Sequence, residues 1–279
     1  RKLIIKNNMV QKHLFNLYLA RTAGMLSGAR QVVMLLVTML LTMTAQTAWA
    51  RTVQFPIYSG DEGTEEKPYQ IKSTADLIKL AADVNSGTSY EDKYFILTQS
   101  ITFSNSTSWN TGTESNFDGI GTSSCMFKGH FNGQGYTISG LRIYKNQNNV
   151  GLYGFVQLGS VKNVTLDDAR ISGKYYTGGI VGSLWDATVD NCHVTATVAI
   201  ADGDSNSRYH GGIVGECGSG GCIVNCTSSA TLNALSNSWG IYGGIVGSAL
   251  GSSRVENCLA INAVIPDVEN RGAIAGYNV

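Results

Sequence analysis

The sequence predicts an all-β fold, a right-handed parallel β-helix (solenoid) with an N-terminal helical cap. Three observations predict it: a glycine-centred segment recurs in register, a Val/Ile-x-Asn triplet recurs beside it, and the residues after each asparagine alternate apolar with polar.

The chain begins with a leader over residues 1–50. Six of the 20 basic residues and none of the 20 acids fall there. Arg30 precedes an apolar run over residues 32–41, and Ala48-Trp49-Ala50 forms an A-x-A signal, so a signal peptide cleaved after Ala50 is expected. A membrane anchor is the competing reading of the same stretch, but Thr38, Thr42, Thr44, Gln46 and Thr47 dilute its second half. Export would place the chain in the secreted or cell-surface space, leaving the membrane to the leader or to an anchor beyond the C-terminus. The body after the leader carries 14 basic against 20 acidic residues, a net of −6. Without a basic stripe it is unsuited to nucleic acid.

Residues 51–67 read as an acidic linker, and residues 68–100 as the cap. Ser73 and Asp76 form a capping-box-like start to a helix over 74–86. Leu77, Ile78, Ala81 and Val84 are expected on its apolar face, Gly87 stops it, and Tyr94-Phe95-Ile96-Leu97 follows as a strand. Such a cover hides the open end of a solenoid.

Residues 101–279 form the repeats. Gly178-Gly179-Ile180-Val181-Gly182, Gly211-Gly212-Ile213-Val214-Gly215 and Gly243-Gly244-Ile245-Val246-Gly247 are the clearest copies. Val150-Gly151-Leu152-Tyr153-Gly154 precedes them and Gly272-Ala273-Ile274-Ala275-Gly276 follows, with offsets of 28, 33, 32 and 29 residues. Asn163, Asn191, Asn225 and Asn257 make the second column, each two residues after Val161, Val189, Ile223 or Val255. Cys192, Val194, Ala196 and Val198 then alternate with His193, Thr195 and Thr197, which means strand with one face buried. About three short strands per repeat suit a β-helix coil better than a propeller blade, which takes roughly 40 residues or more. Equivalent residues would then stack about 4.8 Å apart. Stacked asparagines could pass amide hydrogen bonds from coil to coil, and the glycines would allow positive φ or close backbone approach. Because the chain stops inside a repeat, at Tyr277-Asn278-Val279, a longer parent protein is expected.

The Gly-Gly-Ile-Val-Gly segments resemble the GLUG (Gly-Leu-any-Gly) motif, which Gly151-Leu152-Tyr153-Gly154 matches most literally. Pro68-Tyr69-Gln70-Ile71, the helix around Ala75-Asp76-Leu77, and the stretch from Phe127-Lys128-Gly129 through Phe131-Asn132-Gly133 to Ile138 are similar to the start of such regions in gut Bacteroidetes. The family includes surface proteins and the non-catalytic N-terminal regions of immunoglobulin-A-cleaving metalloproteases. The resemblance implies a surface-exposed, adhesive or scaffolding β-helix and no established reaction. Ala273 and Ala275 depart from the pattern, which puts the pairing of the last copy in doubt.

Catalytic chemistry has little footing in these residues. No H-E-x-x-H occurs, and His130, His193 and His210 are scattered. Asp202, Asp204 and Asn206 have the spacing of a calcium loop but lack its Gly and bidentate Glu, so a solvated insertion is the expectation. Asp190 and Glu256 share the position before the asparagine, where Lys162 and Val224 stand in other copies, so no carboxylate column forms. Cys192, Cys226 and Cys258 are expected as stacked buried thiols. Cys217 and Cys222 flank a glycine-rich corner that a disulfide could close, while zinc on Cys217, Cys222 and Cys226 lacks paired knuckles. No cofactor and no metal are expected.

Aromatic residues offer the contact surface. Tyr175, Tyr176, Tyr209, His210, Trp239 and Tyr242 all fall just before the glycine column, where repeat length varies most. The resulting expectation is a non-enzymatic, adhesin-like binding or structural module. Its partners would be host glycans, extracellular matrix or surface proteins. The alternatives are a carbohydrate-active β-helix enzyme and the non-catalytic stalk of a larger surface protease.

Overall fold

A computed structural model describes Tyr58 and residues 62–278, apart from 105–113, 201–207, 234–239, 262–264 and 268–269. The chain divides into two units, 1–56 and 57–279, and every described residue belongs to the second. The leader, its cleavage site, most of the linker, and Asp202, Asp204 and Asn206 lie outside the described residues.

The fold is a parallel β-helix. Its seven-stranded first sheet stacks Tyr69–Ile71, Tyr94–Leu97, His130–Asn132, Ser160–Lys162, Thr188–Asp190, Cys222–Val224 and Arg254–Glu256, each parallel to the next. In-register pairing builds one inward column from Tyr69, Phe95, Phe131, Val161, Val189, Ile223 and Val255. Val161, Val189 and Ile223 are fully buried, and each contributes roughly 1.5–3 kcal/mol by leaving water. The ladder starts at Tyr69, so the strands of the expected cap are already rungs of the first sheet.

After each of the last four first-sheet strands the chain turns at an asparagine. Asn163, Asn191, Asn225 and Asn257 have φ between 49° and 55°, a left-handed corner that asparagine tolerates better than most residues. Their amides form the expected ladder, with an earlier rung that spacing alone did not show. Asn163 Nδ2 donates to Asn132 Oδ1 at 2.9 Å, Asn191 Nδ2 to Asn163 Oδ1 at 2.8 Å and Asn257 Nδ2 to Asn225 Oδ1 at 3.4 Å. Asn225 instead donates to Asp190 Oδ1 at 2.9 Å. The second sheet then runs through Ile101–Thr102, Thr137–Ser139, Thr165–Gly173, His193–Ile200, Thr227–Ser228 and Leu259–Ala260. Its inward column is Ile101, Ile138, Leu166, Val194, Ser228 and Ala260.

Four strand sets are present where about three were expected. A third sheet stacks Tyr153–Gln157, Val181–Trp185, Val214–Cys217, Val246–Ala249 and Ala275–Asn278. A fourth stacks Tyr175–Gly178, Arg208–Gly211, Ile241–Gly243 and Asn270–Gly272. Both reach the last described coil, with Gly243 opposite Gly272 and Val246 opposite Ala275, so the last copy keeps its pairing.

Helix α1, Thr74–Asn85, covers the first coil. Ser73 Oγ accepts from the Asp76 amide at 3.2 Å, and the Asp76 carboxylate accepts from the Lys72 amide at 3.0 Å, a reciprocal cap. Its buried face is Leu77, Leu80, Ala81 and Val84. That corrects the expectation for Ile78, which is exposed: the i, i+3, i+4, i+7 stripe from Leu77 passes through Leu80 and misses Ile78. Beside the helix, Tyr58, Tyr69, Tyr90 and Phe95 pack edge-on or tilted, and both Tyr58 and Tyr90 donate to Asp83 Oδ2, at 2.8 and 3.0 Å.

Candidate functional site

The site begins with the glycines, because they let the fourth sheet lie directly against the third. A Cβ on Gly178, Gly211, Gly243 or Gly272 would collide with the carbonyl oxygen three residues on, at Val181, Val214, Val246 or Ala275. A Cβ on Gly215 would meet the backbone of Tyr176 and Thr177, and one on Gly247 the backbone of Tyr209 and His210. The middle glycines, Gly179, Gly212 and Gly244, lie under the carbonyls of Gly212, Gly244 and Ala273 in the following coil. The motif therefore secures close backbone approach, and none of these glycines needs positive φ.

The first two fourth-sheet strands, and the segment before Val150 that bridges to them, kink at the residue that crosses this contact. Asn149, Tyr176 and Tyr209 occupy equivalent positions with φ of 60°, 54° and 61°. Left-handed backbone is costly for a bulky side chain, about 1–3 kcal/mol per residue. The kink breaks the alternation of faces, so Tyr175 and Tyr176 are both half-buried while Thr177 and Gly178 are buried. The Tyr176 and Tyr209 rings stack at 5.5 Å with planes 5° apart. Tyr175 lies 6.0 Å from Tyr176, and the Lys174 ammonium sits 5.7 Å from the Tyr175 ring.

His210 and Tyr242 depart from the expected contact surface. Both are fully buried, their rings stacked at 5.1 Å, in the column that also holds Thr177. His210 stands one position after the Tyr209 kink, and in-register pairing carries Tyr242 into the same inward column. Burial lowers the His210 pKa to about 3, keeping the imidazole neutral. Trp239 lies outside the described residues. The surface strip that the structure assembles is Tyr175, Tyr176 and Tyr209.

All six cysteines are free in the structure. Cys217 points inward in the column of Val156, Leu184 and Ala249. Cys222 starts the next strand in the column of Ser160, Thr188 and Arg254, beside inward Ile223, so the two thiols face different ways. Burial pushes the Cys217 thiol up to about 12. Cys192 and Cys226 stack as buried thiols, the Cys192 amide donating to Cys226 Sγ at 3.5 Å, whereas Cys258 in the last coil is only half-buried; each thiol donates to backbone carbonyls.

The acids have structural partners. Asp190 accepts from Asn225, Glu256 pairs with Arg254 at 2.8 Å, and Asp168 pairs with Arg142 at 3.0 Å. Among the described residues no group of three or more His, Cys, Asp or Glu could hold a metal ion, and no helix is long and apolar enough to cross a membrane.

Sequence reasoning missed Glu216 and Trp185. Glu216 aligns with Ser183 and Ser248, a column following the last glycine of each motif. Its exposure is 7%, and burial raises its pKa. Trp185 Nε1 donates to Glu216 Oε2 at 3.4 Å, and the indole lies across Gly218, where a Cβ would fall 2.5 Å from the ring. The available signal was the recurrent polar residue after that glycine.

The GLUG motif model matches residues 173–199, which hold the Gly178–Gly182 copy and the strands on either side. Halomucin of Haloquadratum walsbyi is 33% identical over 210 residues, 75% of this chain and 2% of halomucin. A protein named as a Gly-rich membrane protein, from Evansella cellulosilytica, is 31% identical over 153 residues, 53% of this chain and 16% of that protein. The chain thus spans a small fraction of the curated relatives it matches. Among solved structures, a protein described as an immunoglobulin A1 protease from Bacteroides ovatus is similar at a TM-score of 0.48 and 20% identity, over 77% of this chain and 75% of that one. The chain carries the GLUG motif, and it carries it as the glycine-packed junction of two sheets in a parallel β-helix.

Proposed function

We propose that the protein is a secreted or cell-surface repeat module that works by binding, with the Tyr175–Tyr176–Tyr209 strip as its contact surface. One observation carries the reading. Tyr176 and Tyr209 stack half-exposed on backbone that costs stability, and side chains held at such a cost concentrate at functional positions. Tyrosine rings bring broad apolar area with a polar tip, which suits glycans and protein surfaces alike. The surface location draws on the leader pattern of residues 1–50 and on relatives named halomucin and Gly-rich membrane protein.

The test is capture of the protein on an array of glycans and matrix proteins, repeated with Tyr176→Ala and Tyr209→Ala. Each substitution is expected to weaken capture by about ten-fold, the range of an aromatic anchor at an interface. Capture that survives both substitutions would remove the strip from the account.

A further inference from the structure

Next to the strip lies a buried carboxylate. Glu216 belongs to the strand Val214–Cys217, in a column whose neighbouring members are the hydroxyls of Ser183 and Ser248. Its place relative to the tyrosines follows from the coil below. There Ser183, one residue after Gly182, donates to Asn149 Oδ1 at 2.7 Å, and Asn149 is the counterpart of Tyr176. One coil up, Glu216 follows Gly215, whose missing Cβ faces the Tyr176 backbone. The same step therefore brings the Glu216 strand next to the Tyr176 backbone. Trp185, 37% exposed, holds its indole N–H on Glu216 Oε2. One coil further, Ser248 Oγ is buried and has no hydrogen-bond partner.

A carboxylate can accept about four hydrogen bonds. Among the described residues the Trp185 indole donates to Glu216, the Ser183 hydroxyl beside it gives its one proton to Asn149, and no salt bridge reaches the carboxylate. Burial raises the pKa, so holding this group ionised costs stability that a serine at the same place would not cost. What fits the remaining acceptor capacity is a ligand rich in hydroxyl donors with a flat apolar face for the exposed indole and phenol rings. An acidic glycan would bring a like charge against the carboxylate.

We infer that Glu216, bonded to Trp185 on a strand next to the Tyr176 backbone, is the hydrogen-bonding anchor of the strip, and that its ligand is a neutral glycan whose hydroxyls donate to the carboxylate. This rests on the strip reading above and adds the ligand class to it.

The experiment uses the full chain, with Glu216→Gln, Trp185→Phe and Tyr209→Ala, against immobilised neutral oligosaccharides of glucose, mannose, galactose and N-acetylglucosamine, with heparin and polylysine alongside. Glu216→Gln keeps the shape of the side chain, and its melting temperature checks the fold. Expected is capture on a neutral oligosaccharide that Glu216→Gln weakens by about ten-fold or more, as loss of a charged acceptor should, without a lower melting temperature. If Glu216→Gln binds like the native chain while Tyr209→Ala is weakened, the anchor falls and the strip stands. Capture on heparin or polylysine alone overturns the ligand class. A native chain that none of the oligosaccharides retains overturns the glycan ligand, leaving the strip to the matrix-protein arm of the array.

Discussion

Asn191 does two things at its corner, and the two can be separated. Its φ of 49° places it in the left-handed region, and its amide donates to Asn163 at 2.8 Å. Asn191→Gly keeps the backbone freedom and deletes the amide, an expected loss of about 0.5–1.5 kcal/mol. Asn191→Ala loses both, adding about 1–2 kcal/mol for a Cβ in left-handed backbone. Denaturant melts of the two variants should rank native, then Gly, then Ala; equal stability for Gly and Ala would mean that the corner does not need its left-handed turn. Glu216 shows the opposite economy, since the residue there works against stability. Its raised pKa means that the unfolded chain ionises first as pH climbs past about 4.3, so its contribution to stability falls as pH rises further. For this reason Glu216→Gln is expected to melt no lower than the native chain at neutral pH.

At the scale of the strand, legibility followed the regularity of the signal. The column Val161, Val189, Ile223, Val255 and the asparagine ladder were readable because period-two alternation and fixed spacing both mark them. The fourth sheet was not readable as a strand. Tyr175 and Tyr176 share partial exposure and are followed by a buried threonine and a glycine, a pattern with no period, because a left-handed residue sits inside the strand. The Tyr209 kink hides the inward turn of His210, and Tyr242 follows His210 inward through register, so the six positions read as one surface although these two belong to the interior. Glu216 was hidden for a different reason, being a single acid among serines, which spacing cannot distinguish from a solvated side chain. The burial of His210 has its own consequence. Its pKa is lowered to about 3, against roughly 6.5 in the unfolded chain, so between these values the unfolded chain binds a proton that the native strand does not. Stability should fall as pH drops from about 6.5 toward 3, at up to about 1.4 kcal/mol per unit from this residue, and be unaffected by it above 6.5. Melting curves between pH 7.5 and 4.5 should show His210→Phe losing less stability on acidification than the native chain; an identical slope would place the imidazole in solvent.

The whole molecule is a stack in which each coil rests on its neighbours, so register is the property on which both core and surface depend. A slip of one residue would move every inward valine outward and turn His210 and Tyr242 to solvent. The glycines oppose such a slip. Close backbone approach is possible only where all three motif glycines align with the strand or carbonyl they face, as at Gly211, Gly212 and Gly215. On this scaffold Tyr176 and Tyr209 are neighbours in space although 33 residues apart in the chain. The chain's zero formal charge hides an acidic body of net −6 after residue 50, and an acidic surface offers nothing to a polyanion. A binding face on this body has to work through rings and hydrogen bonds, which is what the strip and Glu216 provide.

The most direct test compares the two faces of the fourth sheet in one assay, measuring capture on the glycan and matrix array together with melting temperature for Tyr209→Ala and Tyr242→Ala. The predicted result is a crossed pattern. Tyr209→Ala should lose about ten-fold in capture while its melting point moves by a few degrees at most, whereas Tyr242→Ala, emptying a fully buried site, should lose about 3–5 kcal/mol of stability and retain capture in its folded fraction. The reverse pattern, with Tyr242 governing capture and Tyr209 governing stability, would contradict the assignment of faces and the binding strip built on it.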